Sequence, residues 1–342
     1  MSDSAQALRR KPDLFFLVAG LASSLLCMSA ILSFAFLLPV QIAYGRRGGR
    51  EGIAAAAVSA LCISVATAAG LAATGIFARG ASRGLSAPIV LAGSIAIPLL
   101  FLLALALINA PIAPRRDNAY RILGVTALCV LIAGAALMAV ERNDSVIAFM
   151  EGELRTAFDQ LRGMAGGSAG GYDASVLEAV LEPKEWLAMI FALLRNSIAA
   201  ILFTMLAGSW WLGNRMCGKG SRGWEGTTAL DELRLPYPFL WGFLLSWTYA
   251  LVTVLLKAQG RVSEVAWNCA LVFGFAYAGA GLGIVSYLLK NWNVPKSMRI
   301  CLAILAVVAF ASPYGMAVVV TLSLIGVTEI WIHYRKPKGV GI

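Results

Sequence analysis

Eight stretches of the chain, 14–44, 52–78, 85–110, 120–140, 186–213, 237–257, 265–289 and 300–334, each run for more than 20 residues with almost no charge. A helix needs about 20 consecutive apolar residues to cross a hydrocarbon core of about 30 Å. The stretches therefore predict an all-α fold, a polytopic transmembrane helical bundle surrounded by a lipid bilayer. A length of 342 residues would also suit two soluble domains. Soluble domains, however, carry about 25% charged and roughly 45–50% apolar residues. Here the figures are 13% and 59%, so most of the surface must face something other than water.

Two of the stretches are too long for one crossing. Leu14–Tyr44 has 31 residues, interrupted by four serines and Pro39, and Ile300–Tyr334 has 35, broken at Ser312-Pro313-Tyr314-Gly315. Each is either one kinked span or a pair of short ones, so 8 to 10 spans are expected, with broken or hairpin segments near both termini. The two versions invert every loop between them. With ten crossings, or eight plus two re-entrant hairpins, the inside loops hold 13 basic residues, Arg46, Arg47 and Arg50 among them, and the outside loops 8. The eight-span version reverses these totals. Cytoplasmic loops carry the excess of Lys and Arg, which favours the first arrangement. Basic tails (Arg9, Arg10, Lys11; Arg335, Lys336, Lys338) put both termini in the cytoplasm either way. The apolar run after Lys11 continues well past the h-region of a cleaved signal peptide. A multi-pass protein of the bacterial cytoplasmic (inner) membrane is expected.

The net charge of +10 does not point to nucleic acid, because the basic residues form short clusters between apolar segments rather than one stripe. Six cysteines without a CxxC spacing and a single histidine, His333, offer no metal or Ser-His-Asp centre. No HExxH, GxSxG or intramembrane carboxylate pair is present. Neither enzyme activity nor a cofactor is expected.

Between two membrane bundles, 1–140 and 186–342, lies a piece of different character. Residues 141–185 hold nine acidic residues against four basic ones, half of all the acids in the chain. Val146, Met150, Leu154, Phe158 and Leu161 recur at helical spacing, which predicts an amphipathic helix outside the membrane. Gly163–Gly171 reads as a linker, and Asp173 as the cap of a short helix that Pro183 ends. The segment is either a solvated connector whose helix rests on the outer leaflet or a lid or docking element.

Within the apolar stretches Arg195 is the most conspicuous charge. Counted from Trp186, it lies roughly 13 Å into its span at 1.5 Å per residue, a depth at which arginine normally faces a cavity or a partner. Glu329 is the only acid well inside an apolar stretch, so a permanent counter-charge is not expected. Arg195 should instead line a polar cavity beneath 141–185 and meet an anionic ligand, with Asn196 and Asn268 as further ligand candidates. A structural ion pair for Arg195 and a helix–helix hydrogen bond for Asn268 are the alternatives. Gly52, Ala56, Ala60, Ser64, Ala68 and Ala72 repeat every fourth residue, a narrow stripe on one helix face. Such a stripe serves close packing inside the bundle or docking of another membrane subunit. Gly274, Ala278, Gly279 and Gly283 read the same way. Glu329 and His333, four apart, would form a charged pair near the cytoplasmic end, beside Trp331 and Tyr334.

Leu233-Arg234-Leu235-Pro236 before a Trp-rich span, Asn268 in a Gly-rich helix, and the run from Gly326 through Glu329, Trp331 and His333 to Arg335-Lys336 resemble the YybS-like family of uncharacterised bacterial integral membrane proteins. Pro39, Tyr44-Gly45-Arg46-Arg47 and the small-residue helix fit as well, and the likeness covers most of the chain except 141–185. It implies a membrane fold distantly similar to the S components of energy-coupling-factor transporters. On that footing the chain is a small-molecule-binding or transport-related protein, and the stripe from Gly52 to Ala72 is a face for a coupling subunit. No Walker A sequence is present, so ATP hydrolysis would fall to a partner. The competing reading is a non-enzymatic membrane scaffold that recruits partner proteins for envelope or growth processes.

Overall fold

The computed structural model describes residues 14–29, 31–110, 118–166, 182–258, 260–312 and 314–335, and every regular element among them is helical. In chain order these are α1 (Phe15–Met28), a 3-10 turn (Ser33–Ala35), α2 (Leu37–Arg47), α3 (Gly49–Ala73), α4 (Ile76–Ala81), α5 (Ala87–Asn109), α6 (Asn118–Glu141), α7 (Asp144–Gly166), α8 (Pro183–Met216), α9 (Arg222–Glu225), a 3-10 turn (Leu230–Glu232), α10 (Pro238–Leu255), α11 (Arg261–Asn291), α12 (Lys296–Ala311) and α13 (Gly315–Thr328). Six of these, α3, α5, α6, α8, α10 and α11, are long and apolar enough to cross a membrane. Asp173, most of the expected glycine linker, Arg115, Arg116 and the basic tails other than Arg335 lie outside the described residues. Pro183 opens α8, at a position where a missing N–H costs no helical bond. The chain divides into two compact units, 1–113 with 124–198, and 114–123 with 199–342. The amphipathic helix α7 belongs to the first unit rather than standing as a piece of its own.

In the first unit α1 runs beside α3 in the same direction. Gly20 lies against Val58 and the carbonyl of Ala55, and the fully buried hydroxyls of Ser23 and Ser59 share a hydrogen bond of 2.8 Å. The chain then turns back through α2, which ends at Arg47, and the Arg47 guanidinium sits over the Phe15 ring, 5.8 Å from its centroid. The overlong first stretch is therefore a helical hairpin with neighbouring ends. Gly48, at φ 97°, makes the turn into α3, a conformation that L side chains avoid. Gln41, fully buried, and the half-buried Asn109 at the end of α5 exchange reciprocal amide hydrogen bonds of 3.2 and 2.7 Å.

These contacts account for the small-residue stripe of α3. Gly52 and Ala56 are buried, Ala60, Ser64 and Ala68 are half-buried, and Ala72 is exposed. The buried part packs against α1, α2 and α5, and a Cβ at Gly52 would strike the ring of Tyr44. Its first half is thus used inside the unit. A side-chain hydrogen bond between membrane helices contributes about 0.6 kcal/mol on average, so close approach of the backbones does more here to hold the helices together.

The second unit repeats the device at the other end of the chain. α11 and α13 run in the same direction in contact: the Ser323 hydroxyl donates to the Gly274 carbonyl at 2.7 Å, Gly281 faces the carbonyl of Leu322, and Gly326 faces that of Tyr277. α12 runs the opposite way and brings Phe310 to Phe275, ring centroids 6.5 Å apart. The last stretch is again a hairpin. Its C-terminal end and the end of α11 gather at one loop, where Lys290 pairs with Asp231 at 2.6 Å and Arg335 donates to the Asp231 carbonyl at 3.1 Å. Most of the glycine patch is likewise used internally, Gly274 under Trp247 and Gly283 against the Leu230 carbonyl, while Gly279 meets no neighbour.

Overpacking a close contact typically costs about 1–3 kcal/mol. Gly281→Leu or Gly326→Leu should accordingly lower the thermal midpoint of the detergent-purified protein, whereas Gly279→Ala, which meets open space, should not. A Gly281→Leu variant that melts with the wild type would mean that α11 and α13 do not touch.

Candidate functional site

The sharpest local geometry surrounds α7. Two arginines four residues apart, Arg79 on α4 and Arg83 just beyond it, pin this helix. Arg79 grips the Glu153 carboxylate through Nε at 2.7 Å and Nη2 at 2.9 Å. Arg83 donates from Nη1 to the carbonyls of Ala148 at 2.5 Å and Phe149 at 3.0 Å. Its guanidinium lies across Gly152, where any side chain would collide with it. Phe158 packs edge-on against Trp186 at 6.2 Å, tying α7 to the start of α8. Between the two helices runs a groove of about 320 Å³, lined by Phe149, Met150, Leu154, Ala157, Leu187 and Ile190, with Glu153 as its single polar residue. The Arg79 hydrogen bonds hold the Glu153 carboxyl below the ordinary carboxylate range, and the charge of Arg83 acts in the same direction.

Arg195 has the counter-charge that sequence reasoning did not expect. Its Nη1 donates to Glu141 Oε1 at 2.7 Å. Glu141 is the last residue of α6, so Arg195 stands level with that helix end. α8 has 34 residues and starts before Trp186, so counting from Trp186 does not fix where a crossing begins. At 1.5 Å per residue the stretch from Arg195 to Met216 is by itself about 33 Å, a full crossing. Asn196 donates to the Ala192 carbonyl of its own helix at 2.9 Å. Asn268, in the second unit, accepts from the Ala199 backbone N–H at 2.9 Å and donates to the Glu264 carbonyl at 2.8 Å, a helix–helix tie. All three side chains are engaged by protein groups.

The expected Glu329–His333 pair does not form. α13 ends at Thr328, so the two residues share no helix on which to be neighbours, and His333 is exposed. Arg335 takes the Glu329 carboxylate instead. The Arg335 side chain is 3% exposed and also donates to the carbonyl of Leu233 at 2.9 Å. Two motifs about a hundred residues apart thus meet in one charged centre. Sequence reasoning gives no site role to Arg79, Arg83, Glu141 or Glu153, and Arg335 reads there only as part of a basic tail. The available signal was the i,i+4 spacing of Arg79 and Arg83 in a loop on the same side as the acidic segment.

Two outcomes follow. A carboxyl whose pKa is lowered by folding stabilises fully above its ordinary value of 4.5 and loses that contribution as the pH falls below it. The Arg79–Glu153 tie should therefore persist at neutral pH and fail in acid, seen as faster amide exchange over 144–158 below that value, and Glu153→Gln should show the faster exchange at pH 7. In a double-mutant cycle, Arg195→Gln and Glu141→Gln should each lower stability, and together by clearly less than the sum. Strict additivity would remove the pair.

The model of the predicted membrane protein family DUF2232 matches residues 14–327. Neither a curated protein nor a solved structure matches the chain. The match runs from α1 to the last turn of α13, through the helices of both units, and the chain belongs to the DUF2232 family of predicted membrane proteins.

Proposed function

We propose that this chain is a non-enzymatic, small-molecule-binding and transport-related protein of the bacterial cytoplasmic membrane, and that the groove between α7 and α8 holds its ligand. The observation that carries the reading is the way α7 is held. A connector lying loosely on the leaflet needs no bidentate arginine clamp and no glycine seat, whereas a helix that walls a binding groove does. Concave, mostly apolar clefts with few polar groups are the usual form of a small-molecule site. The resemblance to YybS-like proteins, and through them to S components, supports the same conclusion.

In the membrane, α1 and α13, with 14 residues each, are about 21 Å long, short of a core of about 30 Å. Both hairpins are read as re-entrant from the cytoplasmic side, leaving six full crossings with both termini inside. This arrangement keeps the 13-residue basic set in the cytoplasm. In a background without accessible native cysteines, Arg155→Cys should react with a membrane-impermeant thiol reagent in intact cells, and Arg50→Cys only after permeabilisation. The reverse pattern would invert the topology.

Native mass spectrometry of the purified protein tests the function. A retained small molecule should be lost when Leu154→Trp fills the groove. Recovery of partner proteins alone, unchanged by Leu154→Trp, would favour the scaffold reading, to which the exposed outer end of the stripe at Ala72 lends itself.

A further inference from the structure

The polar groups around the groove are unevenly balanced, and the imbalance bears on what it holds. Resting on the binding reading above, we infer that the ligand is an anionic phospholipid of the outer leaflet, with an acyl chain along α7 and α8 and its phosphate on Arg83. Six of the seven lining residues are apolar, and the seventh, Glu153, already has both carboxylate oxygens on Arg79. Nothing in the lining is left to recognise a polar solute, and a hydrocarbon chain meets no penalty there.

Arg83 is different. It is exposed, and among the described residues its guanidinium hydrogen-bonds through Nη1 alone, to two main-chain carbonyls and to no carboxylate. A guanidinium has five N–H donors in a planar fork that matches phosphate, so most of its donors and its net charge remain for an anion. Its two carbonyl partners include Phe149, itself a wall of the groove. The cation therefore stands at the rim of the apolar channel, and an amphiphile can satisfy both at once. Glu153 feels both guanidinium groups, so the cluster of Arg79, Arg83 and Glu153 carries a net charge of +1 at the rim. The helix carrying the groove is amphipathic, and such helices lie at the headgroup level of a bilayer, which is where a lipid phosphate sits. From Met150 to Ala157 the groove follows about 10 Å of helix, enough for part of a chain and not for a whole molecule, so the remainder of the lipid stays in the leaflet.

The test uses the full-length protein in bilayer nanodiscs with phosphatidylglycerol or phosphatidylcholine carrying a photoactivatable group in the acyl chain. Crosslinks to peptides containing Leu187 and Ile190 should exceed those to the exposed α10 residues Leu245 and Leu251 by about tenfold for phosphatidylglycerol, the scale of one hydrogen bond to a charged group. Phosphatidylcholine should show no such excess. Arg83→Gln should abolish the preference and Arg83→Lys restore part of it, while Leu154→Trp should remove the groove crosslinks for both lipids. Equal labelling of groove and α10 in the wild type would overturn the inference whatever the variants do, since the contact would then be ordinary annular lipid. If the purified chain instead retains a neutral small molecule that Leu154→Trp expels, the lipid assignment falls and the binding function stands. If nothing is retained and Leu154→Trp changes no labelling, both fall.

Discussion

Helices immersed in hydrocarbon gain little by hiding apolar side chains from one another, because the lipid is as apolar as they are. What brings membrane helices together is the contact of backbone with backbone where a Cβ is missing. Gly20 against the Ala55 carbonyl, Gly281 against Leu322 and Gly326 against Tyr277 are contacts of that kind. Both hairpins depend on them: α1 can follow α3, and α13 can follow α11, only because these positions let the axes close up. The placement of the hairpin ends, and so of the charges near them, follows from this packing.

Charge then gathers at helix ends. Arg195 meets Glu141 at the end of α6, Lys290 meets Asp231 at the end of α11, and Arg335 collects Glu329 and two loop carbonyls just past α13. The arginines are used unequally. Arg335 is almost wholly enclosed and engages protein acceptors through all three of its nitrogens, whereas Arg83 lies exposed over a glycine with most of its donors unspent. The first geometry is that of a structural anchor, and the second leaves capacity for something else.

Sequence reasoning read the helical class, the two broken end stretches and the amphipathic helix after Glu141 correctly, because each rests on composition or periodicity along a short window. It also saw that small residues lined α3 and α11. It could not tell which helix each stripe would meet, since that depends on contacts between residues tens of positions apart, such as Ser23 with Ser59. The charged residues were harder still. Arg195 looked isolated because its partner ends a different helix, and Glu329 was paired with His333 on the assumption of a helix that stops one residue earlier. Where a helix ends decides which side chains are neighbours, and helix ends are the part of a sequence least well marked.

The burial of Arg335 has a consequence for how this chain is made. Its acceptor at Asp231 lies 104 residues upstream. At a synthesis rate of about 5–20 residues per second, the loop around Asp231 waits roughly 5–20 seconds for its cation. Lys290 can already pair with the Asp231 carboxylate by then, but the carbonyls of Asp231 and Leu233 still lack the guanidinium that donates to them. The hairpin of α12 and α13 must form and return before the cation arrives. Completion of the second unit is therefore tied to translation as far as Arg335, and a chain interrupted shortly before that residue would carry all of its long helices and still lack the piece that ties their ends together.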